Sequence, residues 1–402
     1  MTVIFRYSVA ILLIASVSII LVCSCVFGST FVSTYKFSDR DEFTRDVLFY
    51  MDHLYMANGY WGVRTVDISD VYNPVSVHRY FPGGGREAAE LERSGNTLFL
   101  ADREGGTKMF DISNPATPIY LTTYPSYDKS SRLALRGINL FVGDRMGGLV
   151  VLEISEPYVP IEVGRHQRPY ETHGIALKDD YAFVANPWHG FYVLDISDFS
   201  EMNEIAYYEK PEGTQPGIWD VGINGDYAII LCQRYGMQVL DISDPYSPEY
   251  MSELLLPEGQ GTGYDSPPLD IAFIGNYAVI SNGLYGVYVI DISDPYNPSV
   301  VEHIDTPGFA GGLDIQGRYL YVADGQEGFH IIDIGDYVKC PSDFDCDGDI
   351  DGTDLGVFAT AFGSTRGNPP YDEICDFDND GDVDGLDLAV FATDFGRTDC
   401  TD

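Results

Sequence analysis

The sequence predicts an all-β fold, a seven-bladed β-propeller, on three observations. A short motif recurs seven times, its period fits one blade, and the last copy lacks a strand that the N-terminus supplies. The motif is a glycine followed five positions later by an acidic residue, usually within Asp-Ile-Ser. The glycines are Gly62, Gly106, Gly148, Gly190, Gly236, Gly286 and Gly328. The acidic residues are Asp67, Asp111, Glu153, Asp195, Asp241, Asp291 and Asp333. They lie 42 to 50 positions apart, a period that belongs to radial arrays of short-stranded sheets.

The chain begins with Arg6 ahead of a charge-free apolar run from Val9 to Phe27, then Gly28-Ser29. Residues 1–28 read as a secretory signal peptide. The run is also close to the ~20 residues needed to span a bilayer, so an uncleaved N-terminal membrane anchor is the alternative. Cys23 and Cys25 sit where a lipoprotein cysteine would, in a poor match to that motif. Export makes the expected location secreted or cell-surface.

Residues 29–339 form the predicted propeller. Phe31–Phe37 resembles Pro74–Phe81, the strand after the first Asp-Ile-Ser. Each full repeat then reads as four strands; in the sixth these are Ile271–Phe273, Tyr277–Ser281, Val287–Asp291 and Ser299–His303. Alternating apolar residues make the strands. Asp-Ile-Ser-Asp-Pro makes the exit turn, because Asp and Ser bond their own backbone and Pro presets φ. The seventh repeat stops at Tyr337 after three strands. A closed ring solves both ends at once, with the N-terminal strand as the outer strand of the last blade. The copies Gly148-Leu-Val-Val-Leu-Glu-Ile-Ser155 and Phe191-Tyr-Val-Leu-Asp-Ile-Ser197 resemble the LVIVD-repeat family of bacterial exported propellers. The resemblance covers residues 31–337 and implies an extracellular scaffold or binding protein.

In such a ring the loops before each repeat glycine share a face with the loops joining successive blades. Candidate ligand-face residues are Trp61, Arg103, Arg145, Trp188, His189, Trp219, Asp220, Tyr235 and Tyr285. Flat aromatics beside charged groups suit a sugar ring or a peptide. A second column, Asn58, Asp102, Asp144, Asn186, Cys232, Asn282 and Asp324, is expected to shape turns. Asp46, Glu90, Arg132, Gly174, Asp220, Asp270 and Gly312 start the inner strands; turned into the channel, their four carboxylates could hold a cation. No catalytic residue is assigned. The chain carries 62 acidic against 23 basic residues, a net charge of -39. That disfavours nucleic acid and anionic membrane surfaces as partners.

From residue 340 the sequence changes. Asp343, Asp345, Asp347, Asp349, Asp351 and Asp354 recur 33 positions later as Asp376, Asp378, Asp380, Asp382, Asp384 and Asp387. Each set spaces carboxylates at positions 1, 3, 5, 9 and 12, with glycine at 6 (Gly348, Gly381) and position 7 giving its carbonyl. That is the calcium loop of an EF-hand. Two short helices follow, and Leu355, Phe358, Phe362, Leu388, Phe391 and Phe395 are expected to pair as a small core. Cys340, Cys346, Cys375 and Cys400 crowd into this stretch and allow three disulfide pairings. Cys340 with Cys400 and Cys346 with Cys375 is the preferred one. Cys232 reads as a buried small hydrophobe.

Residues 340–402 resemble dockerin type I, with the paired loop–helix pattern covering roughly 341–398. The resemblance implies two bound calcium ions and docking to a cohesin-like domain or cell-surface protein. The expected function is a binding or scaffold propeller attached through that module, with a possible glycan or peptide ligand. A polysaccharide-degrading (O-glycosyl hydrolase-type) component is the alternative, and a structural spacer the next.

Overall fold

The computed structural model describes residues 28–37, 42–81, 87–167, 172–187, 190–208, 217–233, 236–256, 269–337, 342–344, 349–365, 371, 373–377 and 382–397. Residues 1–27 of the leader lie outside these residues, as do Trp188, His189, Tyr235, Asp345, Asp347, Asp378, Asp380, Cys340, Cys346 and Cys400. Among the described residues no helix is long and apolar enough to cross a membrane.

Seven four-stranded antiparallel sheets make the ring. Blade 1 runs outward in chain order through Asp46–Tyr50, His53–Ala57, Val63–Asp67 and Val75–Tyr80. Five further blades repeat this order. Each inner strand packs on the next, and Ala310–Gln316 of blade 7 packs on Asp46–Tyr50 of blade 1, which closes the circle. Apolar clusters fill the gaps between blades; Tyr55, Leu98, Leu100 and Phe110 meet between blades 1 and 2. Each such side chain stabilises by about 1.5–3 kcal/mol when fully buried.

The repeat motif has a mechanical explanation. The glycine opens the third strand with φ near +70° at Gly286 and +88° at Gly328, a conformation that favours glycine. A Cβ on Gly286 would also collide with the Ile304 carbonyl at the end of the outer strand. Five residues on, Asp291 Oδ1 accepts the Ser293 N–H at 2.9 Å. Between them, the Ile292 N–H reaches back to the Asn276 carbonyl at 2.9 Å, tying the exit turn to the hairpin before it. Ile68, Ile112, Ile154, Ile196, Ile242 and Ile334 make the same bond from the same position.

The N-terminal strand, Thr30–Tyr35, pairs with Phe329–Asp333 and completes blade 7, as expected. Its register is that of the other outer strands. In blades 1 to 6 the motif's acidic residue pairs with a residue eight positions later, as Asp67 with Val75 and Asp291 with Ser299. In blade 7 Asp333 pairs with Thr30. Val32 bulges out of register where Val77 and Val301 do in theirs. Gly328 packs against the Tyr35 carbonyl as Gly286 packs against Ile304. Both ends of the ring meet at Glu302: its carboxylate accepts the Ser29 N–H at 2.9 Å and the Tyr337 hydroxyl at 2.6 Å. The chain therefore enters and leaves the ring on the exit-turn face, opposite the loops that precede the repeat glycines.

Beyond the ring are two ten-residue helices, α1 (Gly352–Ala361) and α2 (Gly385–Asp394), each opened by a capping box on Asp351 or Asp384. The expected core needs correction. Phe358 and Phe391 are buried, but Leu355, Phe362, Leu388 and Phe395 are exposed. Each helix turns only one large residue inward, and the core is completed by Ile350, Val383, Phe344 and Phe377 from the loops. The two halves interlock by backbone bonds: Ile350 N–H to Arg397 O at 2.9 Å, and Gly363 N–H to Val383 O at 2.7 Å. Ile374 packs both on this core and on the cluster holding Val32 and Val71.

Candidate functional site

The starts of the inner strands converge on the central channel. Asp46 Oδ1 accepts the N–H of Val47, and its Oδ2 accepts that of Leu91 in the next blade at 2.7 Å. Asp270 does the same with Ile271 and with Leu313 of the next blade at 2.6 Å. These carboxylates are joints between blades. Gly174 and Gly312 are their counterparts, and a Cβ on either would strike Asp220 or Asp46. The Arg132 guanidinium lies among them, 3.5 Å from Glu90 and bonded to the His173 and Leu269 carbonyls. It fills the cationic role that the sequence left open for an ion. Burial works against its charge, yet Glu90, Asp220, Asp270 and Asp46 hold it above its ordinary pKa.

The carboxylates respond in the opposite sense. Burial pushes Asp46 and Glu90 well above their usual range. Burial, opposed by Arg132 and reinforced by Asp270, pushes Asp220 up to about 8. Asp270, hydrogen-bonded to Asp220, is raised by burial too. Two residues further along the inner strands, burial raises Glu92 to about 7 and Asp314 to about 6.

A raised folded pKa means that the folded state keeps a proton the unfolded chain gives up. The Asp220 contribution is fully present below about pH 4 and is lost as pH rises towards 8. Asn reproduces the protonated acid's shape and donor. Asp220→Asn is therefore expected to flatten the fall in melting temperature between pH 5 and pH 9. Asp46, Glu90, Arg132 and Asp270 face the same space in both proteins. Parallel pH profiles for variant and wild type would remove the assignment.

The loop face differs from the sequence expectation in its aromatics. Trp61 and Trp219 are half-buried, not exposed platforms. The Arg79 guanidinium covers the Trp61 ring at 4.6 Å, and Phe81 lies beside it at 5.9 Å. Trp219 meets His173 edge-on at 4.8 Å. Asp220 faces the channel and is buried, so it leaves the ligand face. Tyr285 is half-buried in an inter-blade cluster, and its carbonyl meets His303 Nε2 at 2.7 Å. Bulky indoles on short loops gain more by packing than by standing in water. Arg145 is exposed, 3.7 Å from Asp128. Arg103 is half-exposed and pairs with Glu87 at 3.1 Å.

Three residues on this face escaped the sequence reading: Arg45, Glu87 and Glu42. Arg45 binds the same Glu87 carboxylate from blade 1. Behind it, buried Glu42 takes Arg64 at 2.7 Å and Arg79 at 3.3 Å. Tyr60, one residue before Trp61, is 62% exposed. Arg45 immediately precedes the channel position Asp46, and that adjacency was the available signal. The turn-shaping column does more than shape turns. Asp144 accepts the Asp128 N–H at 3.0 Å, and Asp324 accepts that of Gly308 at 2.8 Å, so both tie two loops together.

In the helical module Asp349, Asp351 and Asp354 bring one carboxylate oxygen each within 4.8 Å of one another, and Asp382, Asp384 and Asp387 do the same. Asp354 is pinned by the N–H groups of Phe344 at 2.7 Å and Asp351 at 2.8 Å. Asp387 is pinned by those of Phe377 and Asp384 at the same distances. Asp376 is buried and accepts the Tyr371 hydroxyl at 2.6 Å, while Asp343 is half-buried. Both donor sets are all oxygen, the chemistry a hard divalent cation takes.

Ring, joints and loop face define a repeat-built seven-bladed β-propeller. Residues 85–125, 129–167, 171–210, 218–255, 269–306 and 307–342 each match the LVIVD repeat, and the chain belongs to the LVIVD repeat family. Among solved structures it is similar to the WD40 β-propeller domain of Doa1, at 12% identity and TM-score 0.60, over 76% of this chain and 97% of that one. The β-propeller domain of Cps50 (Swd1) from Myceliophteria thermophila matches at 13% identity and TM-score 0.59, over 76% and 99%. BamB from Moraxella catarrhalis matches at 12% and 0.50, over 76% and 97%. These likenesses concern the fold. No curated protein sequence matches the chain.

Proposed function

We propose that this chain is an exported binding and scaffold propeller, held to a partner through a C-terminal module that takes two calcium ions. Asp343, Asp349, Asp351 and Asp354, with Asp376, Asp382, Asp384 and Asp387, would hold the ions. The observation that carries this reading is the pair of equivalent three-carboxylate clusters on interlocked loop–helix units. Calcium would supply the positive charge those clusters lack and fix the loops for docking to a cohesin-like domain. The meeting of both ends of the ring, Ser29 and Tyr337, at Glu302 supports the same reading. It leaves the loop face pointing away from both attachments, towards a glycan or peptide ligand.

The test is capture of the full chain on immobilised cohesin domains with calcium and with chelator. Calcium-dependent capture that Asp343→Ala with Asp376→Ala removes is expected. Equal capture under both conditions, or none, would defeat the docking reading.

A further inference from the structure

We propose that Arg45, Arg103 and Tyr60 form a recognition site for a sugar bearing an isolated carboxylate, which deepens and rests on the reading of the loop face as ligand-binding. Two guanidiniums converge there on one carboxylate. Arg45 and Arg103 both pair with Glu87, which is itself largely buried. Arg45, Arg103 and Glu87 together carry one net positive charge, on a protein whose net charge is -39. Burial, offset by Glu87 and reinforced by Arg103, draws Arg45 below its ordinary pKa. The Arg45 and Arg103 side chains are 34% and 35% exposed, so each guanidinium keeps donor edges open to solvent beyond its bond to Glu87. A second carboxylate would supply both the charge and the acceptors, and a guanidinium offers it two parallel donors.

The neighbourhood favours a sugar. Tyr60 lies near Arg45 and leaves most of its ring in solvent. An exposed flat ring beside charged groups stacks on the C–H face of a pyranose. Peptide recognition by strand addition has little to grip: the N–H groups of Asn58, Trp61 and Gly62 and the Gly59 carbonyl are already bonded within and beside this loop. Dense polyanions are repelled by the protein's overall field, while a single carboxylate on a neutral chain meets a locally positive site.

The full chain would be titrated with a xylotetraose carrying one glucuronic acid, with unbranched xylotetraose, and with a peptide containing one glutamate. The acidic sugar should bind at least about tenfold more tightly than the neutral one, a preference that weakens with salt. Arg103→Ala and Tyr60→Ala should each remove about tenfold of that affinity at unchanged melting temperature. Equal binding of both sugars would overturn carboxylate recognition while leaving a glycan-binding loop face intact. Affinity unmoved in both variants, or no sugar binding at all, would overturn the site. Binding of the peptide alone would replace the sugar with a protein partner. None of these outcomes touches calcium-dependent capture of the C-terminal module, so the two readings fail separately.

Discussion

A chain lacking residues 28–37 is expected not to form a stable ring. The segment supplies the whole outer strand of blade 7 and much of the seam beside it. Val32, Tyr35 and Phe37 pack on a cluster that includes Met56, Tyr321 and Phe329. Tyr35 stacks on Phe329 at 5.5 Å, and Phe31 meets His330 edge-on at 5.4 Å. Thr34 Oγ1 bonds His330 Nδ1 at 2.8 Å, and His330 Nε2 bonds buried Asp324 at 2.8 Å, so the strand also satisfies an interior polar chain. Three half-buried side chains alone account for roughly 5 kcal/mol. That is comparable to the whole stability of a typical domain. The third strand would be left as an apolar, unpaired edge, which invites aggregation. Size-exclusion chromatography and thermal melts of the deletion variant would show the loss. Because Thr30 sits where a residue eight positions after Asp333 would sit, residues 30–37 placed there should restore a monomer with a cooperative melt. A deletion variant melting like wild type would mean that the strand does not close the ring.

The closure was legible in the chain because it depends on counting. Seven glycines, six complete repeats and one stray strand admit few other solutions, and each motif residue has a local job that sequence chemistry names. The loop face was less legible, for a physical reason. Whether an aromatic stands in water or packs depends on what a neighbouring blade brings to it, and that neighbour is distant in sequence. Trp61 is covered by Arg79, eighteen positions on, while Tyr60 stays out. Arg45 and Arg103 share Glu87 across two blades. The channel fell between these cases. The column of Asp46, Glu90, Arg132, Asp220 and Asp270 followed from the repeat alignment. That two of the aspartates staple the next blade's backbone required the register of adjacent inner strands. In the helical module the two helices were readable from the repeated pattern. The core was not, because a ten-residue helix beside a loop buries fewer residues than its apolar content suggests.

Calcium is expected to move the melting of the C-terminal module by at least about 15 °C while leaving the ring's transition in place. Residues 340–402 carry seventeen acidic residues and two arginines. Three carboxylates crowd within 4.8 Å at each cluster, and a core of six buried residues must hold that repulsion together. An ion that binds only the folded module stabilises it by about 4 kcal/mol when present at a thousand times its dissociation constant. For a domain this small each kcal/mol is worth about 4–8 °C, so two sites suffice for the shift. Scanning calorimetry of the full chain in calcium and in chelator separates the transitions, because the module's core and the ring cluster beside it share only Ile374 among the described residues. Asp354→Ala with Asp387→Ala removes one donor from each cluster and also the anchors for the Phe344 and Phe377 N–H groups. It should abolish the calcium response and lower the module's melting even in chelator. Asp351→Asn with Asp384→Asn keeps a capping side chain at each helix start and weakens only the donor set. That pair should lose the calcium shift with little change in chelator, which distinguishes ion binding from a structural role of the loops. A module that melts identically with and without calcium in the wild-type chain would leave the two clusters as helix caps and no more.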